Sequence, residues 1–297
     1  MERGKAMRKD KLQPLERRKK LTGLSLAAPV LLGTFLFFLL PFVICVKYSF
    51  TFGVGGASFA GFKNYIEVFS SYGFRLAAVN TLRFLAIGLI ANLALSFFLA
   101  LLIKRGLAGS RFFRYILLLP LVLPIASVVM TIQVFFAETG VLNHWLIRLG
   151  VPIVQWLEGP EAFSVLLGLY LWKSIGYSVI LLLSGLNAIP GEFYQTAAME
   201  GAGGLQKLVS ITLPMMVPHF FLAAVMGVVN AFKSYREAFL LGGKHPHDSI
   251  YMMQHFLNNN FENLNYQKLS VAAILLLLVL LVLLWGLYLF QNRYREE

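Results

Sequence analysis

Residues 187–214 read NAIPGEFYQTAAMEGAGGLQKLVSITLP. This stretch lies between two long apolar segments, and it is too polar to span a membrane and too patterned to be a simple tether. Pro190 suits a first helical turn, where its missing N–H costs nothing. Phe193–Met199 then reads as a short helix with Gly201 as its stop. Tyr194, Ala198 and Ala202 fall four apart, so one face is expected to carry small residues beside a ring. A second short amphipathic turn follows Gly203–Gly204, and Leu213–Pro214 opens the next apolar run. The pattern predicts a docking element on a membrane protein.

Composition points the same way. Hydrophobic residues make up 58% of the 297 and charged ones only 13%, against about a quarter charged in a soluble domain. Six apolar segments are expected to cross the bilayer as helices: Leu24–Tyr48, Asn80–Ile103, Arg114–Phe136, Ala162–Leu186, Ile211–Ala231 and Leu269–Phe290. The expected class is therefore all-α, a polytopic membrane protein with six transmembrane helices. The first apolar run is too long for a cleavable signal peptide and reads as a retained span. Cys45 is the single cysteine, which excludes a disulfide framework and a cysteine metal set.

The net charge of +12 is distributed as a topogenic signal rather than as a nucleic-acid surface. Residues 1–20 form a basic tail carrying nine Lys and Arg. With six spans, both termini share one side. The tail, the second loop, the 187–214 loop and the C-terminus hold sixteen basic residues against seven in the loops of the other side. The positive-inside bias then predicts both termini and residues 187–214 in the cytoplasm.

The segment YQTAAMEGAGGLQKLVSITLP resembles the "EAA" loop of permease subunits in binding-protein-dependent ABC importers. In that family, Glu-Ala-Ala is followed by three residues, Gly, nine residues and Ile-x-Leu-Pro. Gly201, Ile211, Leu213 and Pro214 fall on this pattern, while Gln195 and Thr196 replace the usual Glu and Ala. The resemblance covers about residues 75–290, with the first span as an N-terminal addition to a type I importer core. It implies that Tyr194, Gln195, Ala197, Ala198, Glu200, Gly201, Ala202 and Gly203 couple to an ATPase. Asn80-Thr81-Leu82, Phe113-Arg114 with Leu119-Pro120, and Gly140-Val141-Leu142-Asn143 also resemble family segments. Leu240-Leu241-Gly242-Gly243 with Pro246 and Ser249 resembles an extracytoplasmic string of sugar permeases, altered here by Lys244 and His245. The implied domains are a basic tail (1–23), a first helix with its outer loop (24–74), the permease core (75–290) and a short tail (291–297). The implied partners are a second homologous permease, an ABC ATPase dimer, an extracytoplasmic solute-binding protein and a carbohydrate, all at a bacterial inner membrane. ATP and Mg would be bound by the ATPase.

The chain has no G-x-x-x-x-G-K-[ST] and no hydrolase constellation, so no catalytic residue or cofactor site is assigned. His245, His247, Asp248 and His255 are read as loop hydrogen-bonding groups rather than a metal set. Polar residues inside apolar spans usually face a cavity or a partner helix. Sugars are held by rings against their C–H faces and by amides and hydroxyls, a mixture supplied by Trp172, Tyr177, Asn230, Ser234 and Tyr235. Gln133 and Lys233 complete the expected substrate pathway; in maltose-type permeases the end of the fifth span lines the sugar site, which supports Asn230 and Ser234. Two alternatives are a permease for an anionic substrate such as glycerol phosphate, using Arg83, Lys173 or Lys233 as counter-charges, and a gradient-driven carrier. The absence of Asp and Glu from the apolar cores of the spans weighs against the carrier.

Overall fold

The computed structural model describes residues 22–23, 25–106 and 110–293. The basic tail at 1–20 and Arg295 lie outside the described residues. The helices are α1 (Ser25–Ser49), α2 (Lys63–Ser70), α3 (Tyr72–Lys104), α4 (Ser110–Val122), α5 (Ile125–Phe136), α6 (Val141–Arg148) and α7 (Ala162–Ala188). They continue as α8 (Gly191–Met199), α9 (Gly204–Lys207), α10 (Leu213–Lys233), α11 (Tyr235–Gly242), α12 (Met253–Glu262) and α13 (Tyr266–Arg293). Strands β1 (Thr51–Phe52) and β2 (Ser58–Phe59) form a small antiparallel hairpin in the first loop.

Six helical segments among the described residues are long and apolar enough to cross a membrane: Ser25–Ser49, Tyr72–Lys104, Ile125–Arg148, Ala162–Ala188, Gly204–Gly242 and Tyr266–Arg293. Their number and order match the sequence reading, but the third is displaced from the expected Arg114–Phe136. Pro124 sits in extended backbone (ψ 123°) and divides that apolar run into α4 and α5. A proline donates no N–H and disfavours helix in the residue before it, so the run breaks there. The fifth span also differs, since a π-helical turn at Leu208–Thr212 precedes α10.

The centre of the molecule is α7, packed against α3, α10 and α4. Half its length is buried, whereas α1 and α13 present mostly exposed apolar side chains, as lipid-facing helices do. Buried polar groups fix the register of this centre. Asn92 Nδ2 donates to Ser178 Oγ at 2.9 Å, and the Tyr170 hydroxyl donates to the Gly227 carbonyl at 3.1 Å. With no water in the bilayer core these groups need protein partners, so the pairings lock α3, α7 and α10 together. Gly176 lets α4 approach α7 closely, for a β-carbon there would stand 1.7 Å from the Leu117 carbonyl oxygen.

At the end of the bundle away from residues 187–214, Asn80 and Thr81 on α3 hold the loop before α12. Asn80 Nδ2 donates to the Asp248 and Tyr251 carbonyls, and Thr81 Oγ1 accepts from the Met253 N–H at 2.9 Å. The Asn80-Thr81 pair noted in the sequence thus satisfies backbone groups of a segment far along the chain.

Candidate functional site

The 187–214 stretch forms a bracket at one end of the bundle. Pro190 precedes α8 rather than entering its first turn (φ −59°, ψ 136°). At the other end, Gly201 has φ +80°; its N–H donates to the Ala198 carbonyl (3.1 Å) and that of Ala202 to the Ala197 carbonyl (2.8 Å). This is the Schellman termination, which a residue without a β-carbon adopts most readily. The chain therefore turns at Gly201, and Ala202, half-buried like Tyr194, lies beyond the helix end. Tyr194 and Ala197 lean inward while Ala198 is exposed, which corrects the expected Tyr194–Ala198–Ala202 face.

Tyr194 is the fastening of the bracket. Its hydroxyl lies 2.9 Å from Thr212 Oγ1, and its ring lies 5.2 Å below the Lys104 ammonium. Lys104 Nζ in turn donates to the Leu186 carbonyl at 2.6 Å. One aromatic side chain thus links α8 to the ends of α3 and α7 and to the turn that opens α10. The opposite face is open: Gln195, Ala198, Glu200, Gly201 and Gly203 are exposed, flanked by Phe193 (50% exposed), Met199 (82%) and Leu205 (75%). Large apolar side chains so placed on a polar loop mark an interaction surface.

The expected pathway residues do not form one cluster. Trp172 lines a cleft of about 610 Å³ between α5 and α7, together with Trp156 and Phe136. Tyr177 and Asn230 are half-buried and carry no side-chain hydrogen bond within the described residues. Gln133 Nε2 donates to the Leu240 carbonyl at 2.9 Å. Lys233 is exposed on a different cleft, against Leu280 and Leu284 of α13. Tyr235 packs edge-on against His255, with centroids 4.8 Å apart. Ser234 is 3% exposed, and its hydroxyl donates to the Asn230 carbonyl one turn earlier.

The sequence reading also missed an ion pair. Glu237, 1% exposed near the end of the fifth helical segment, accepts from Lys173 Nζ at 2.5 Å. Glu237 lies on α11, beyond the expected fifth span Ile211–Ala231, and it already neutralises Lys173. Its signal was faint, a lone acid followed by Ala238-Phe239-Leu240-Leu241. Lys173→Met is expected to lower stability by roughly 2–3 kcal/mol, because it strands a buried carboxylate whose second oxygen already has no partner among the described residues. Adding Glu237→Leu should restore much of the loss, as read by thermal unfolding in detergent.

His255 on α12 is fully buried beneath Tyr251, and its Nδ1 accepts from the Met252 N–H at 3.0 Å. Burial, with His245 nearby, pushes its pKa down to about 4. A histidine lowered on folding stabilises above its unfolded value of about 6.5, and that stability drains as the pH falls toward its folded value. Stability against thermal unfolding should therefore fall by up to roughly 3 kcal/mol from pH 7 to pH 4, and His255→Gln should flatten that slope. His247 Nδ1 meets Ser249 and Asp248 accepts from Tyr72, so these side chains go to separate partners. No three metal-ligating groups gather among the described residues.

Three comparisons bear on this architecture. Residues 92–296 match the family model described as binding-protein-dependent transport system inner membrane component. The trehalose/maltose transport system permease protein MalF of Thermococcus litoralis is 28% identical over 291 residues, covering 95% of this chain and 97% of that one. The sn-glycerol-3-phosphate transport system permease protein UgpA of Escherichia coli is 29% identical over 212 residues, 70% of this chain and 72% of that one. A bacterial ABC transporter involved in the import of the acidic polysaccharide alginate shares the fold at a TM-score of 0.80 and 21% identity, over 94% of this chain and 97% of that one. A bacterial alginate ABC transporter in complex with an alginate pentasaccharide-bound periplasmic protein matches at a TM-score of 0.76 and 22% identity, over 94% of this chain and 95% of that one. With a family match over more than two thirds of its length and six apolar helices, the chain belongs to the inner membrane components of binding-protein-dependent transport systems, the permease subunits of ABC transporters.

Proposed function

We propose that this chain is one of two homologous permeases in an ATP-driven importer for an uncharged carbohydrate, with an oligosaccharide the best fit. Both termini and α8 lie in the cytoplasm, as the basic residues of the loops and tails favour. An ATPase dimer binds ATP and Mg and docks on the exposed face around Gln195, Glu200 and Gly201, while a solute-binding protein delivers sugar from outside.

The observation that carries the coupling is the fastening of α8. Through Tyr194, Lys104 and Thr212, a push on α8 reaches the ends of three spans as one rigid displacement. Closure of the ATPases then tilts the permease pair from inward-facing to outward-facing. This chain contributes no nucleotide chemistry; it conducts and transmits.

The ion pair of Lys173 with Glu237 favours a neutral substrate over an anionic one, since it cancels a cation beside Trp172. The aromatic lining from Trp172 and the groups of Tyr177 and Asn230, unpaired among the described residues, suit sugar hydroxyls and C–H faces. Uptake into membrane vesicles carrying the complete transporter tests this directly. Labelled maltooligosaccharide should enter with ATP and be blocked by vanadate, with glycerol phosphate failing to compete. Glycerol phosphate uptake without sugar uptake would overturn the substrate assignment, and vanadate-insensitive uptake would overturn the ATP-driven reading.

A further inference from the structure

Behind α8, on the side facing the bundle, lies a cleft of about 760 Å³ that shares Lys104, Tyr194 and Thr212 with the fastening of α8 and extends beyond it to Arg105 and Lys207. Its cations are Lys104, Arg105 and Lys207, and no Asp or Glu among the described residues lines it. The only ion pairs among the described residues are Lys173–Glu237 and Lys244–Glu262, so these three cations have no carboxylate partner there. Lys104 is held in place by the Leu186 carbonyl and the Tyr194 ring, and an ammonium has three N–H groups to give. Leu101, Ile189 and Leu208 give it an apolar side, next to the polar Asn187 and Thr212.

We propose that this cleft binds the phosphate headgroup of an anionic phospholipid. Lys104 closes the apolar run of α3, and Lys207 stands one turn before that of α10, which places the cleft at headgroup depth. Basic clefts between spans at this level recognise anionic headgroups by charge, and apolar walls accept the start of an acyl chain. A free phosphate would use the cations and leave the apolar wall without a partner. A lipid seated here braces α8 against α3 and thereby sets how stiffly the bracket moves.

The test uses the transporter extracted intact from its native membrane and exchanged into micelles containing phosphatidylcholine and phosphatidylglycerol, with retained lipid read by native mass spectrometry. The wild type should keep phosphatidylglycerol and release phosphatidylcholine. Arg105→Gln/Lys207→Gln, which leaves the Lys104 contacts intact, should bind phosphatidylglycerol about 30-fold more weakly. Arg105→Lys/Lys207→Arg should retain it, which separates charge from folding. Equal retention in wild type and the Gln variant would overturn the proposal. So would complete displacement of phosphatidylglycerol by millimolar inorganic phosphate, which would assign the cleft to the free anion.

Discussion

Gly201→Asp is expected to abolish ATP-driven uptake while the protein remains inserted at normal abundance. The left-handed conformation at Gly201 (φ +80°) terminates α8, and nothing lies within 4 Å of where a β-carbon would sit. No core contact is therefore broken by a side chain at this position. An L-residue there is strained by about 1–2 kcal/mol, enough to fray the last turn of α8 but small against the stability of the bundle. The carboxylate adds a second injury, since it enters the exposed face bounded by Met199 and Leu205 beside Glu200. Burying it against a docked ATPase would carry an uncompensated charge into the interface. Gly201→Asn separates the two effects, because asparagine tolerates the left-handed region and is neutral. Uptake in Gly201→Asn should lie between wild type and Gly201→Asp. Full uptake by Gly201→Asp would show that this turn is not the docking element.

Gly176→Ala should have the largest effect on the protein itself. A β-carbon at Gly176 would stand 1.7 Å from the Leu117 oxygen and 2.6 Å from its carbonyl carbon. Backbone cannot swing away as a side-chain tip can, so α4 would have to shift bodily off α7. Overpacking in a core commonly costs 1–3 kcal/mol, and a clash with backbone at the centre of the bundle should reach about 4 kcal/mol or more. The expected result is a several-fold drop in membrane-inserted protein and a lowered unfolding temperature. Gly168→Ala on the same helix is the control: its β-carbon meets nothing within 4 Å and should leave both readings unchanged. A normal unfolding temperature for Gly176→Ala would mean that α4 does not rest on α7 as described.

Much of this architecture was legible from the residues because its signals are local. Apolar runs of membrane length declare themselves one span at a time, and Gly201 announces a helix stop from its immediate neighbours. The features that were missed depend on partners distant in the chain. Lys173 and Glu237 are 64 residues apart, and neither shows by itself that the other will neutralise it. Ser234 looked available because a hydroxyl at the end of a span suits a pathway, yet only the packing of α10 reveals that it is buried. Pro124 sits inside an apolar run long enough for one span, yet the extended backbone around it divides the run into two helices. The face of α8 was misjudged for a similar reason. Spacing of four residues groups Tyr194 with Ala198, but Tyr194 is half-buried against Thr212 while Ala198 stands exposed.

The most direct test is gentle detergent extraction of this chain from its native membrane, with the co-purifying subunits identified. An ATPase and a second permease in stable association, together with a carbohydrate-type binding protein captured when sugar is present, are the predicted result. Recovery of the chain alone or only as copies of itself, with no ATPase bound, would contradict it.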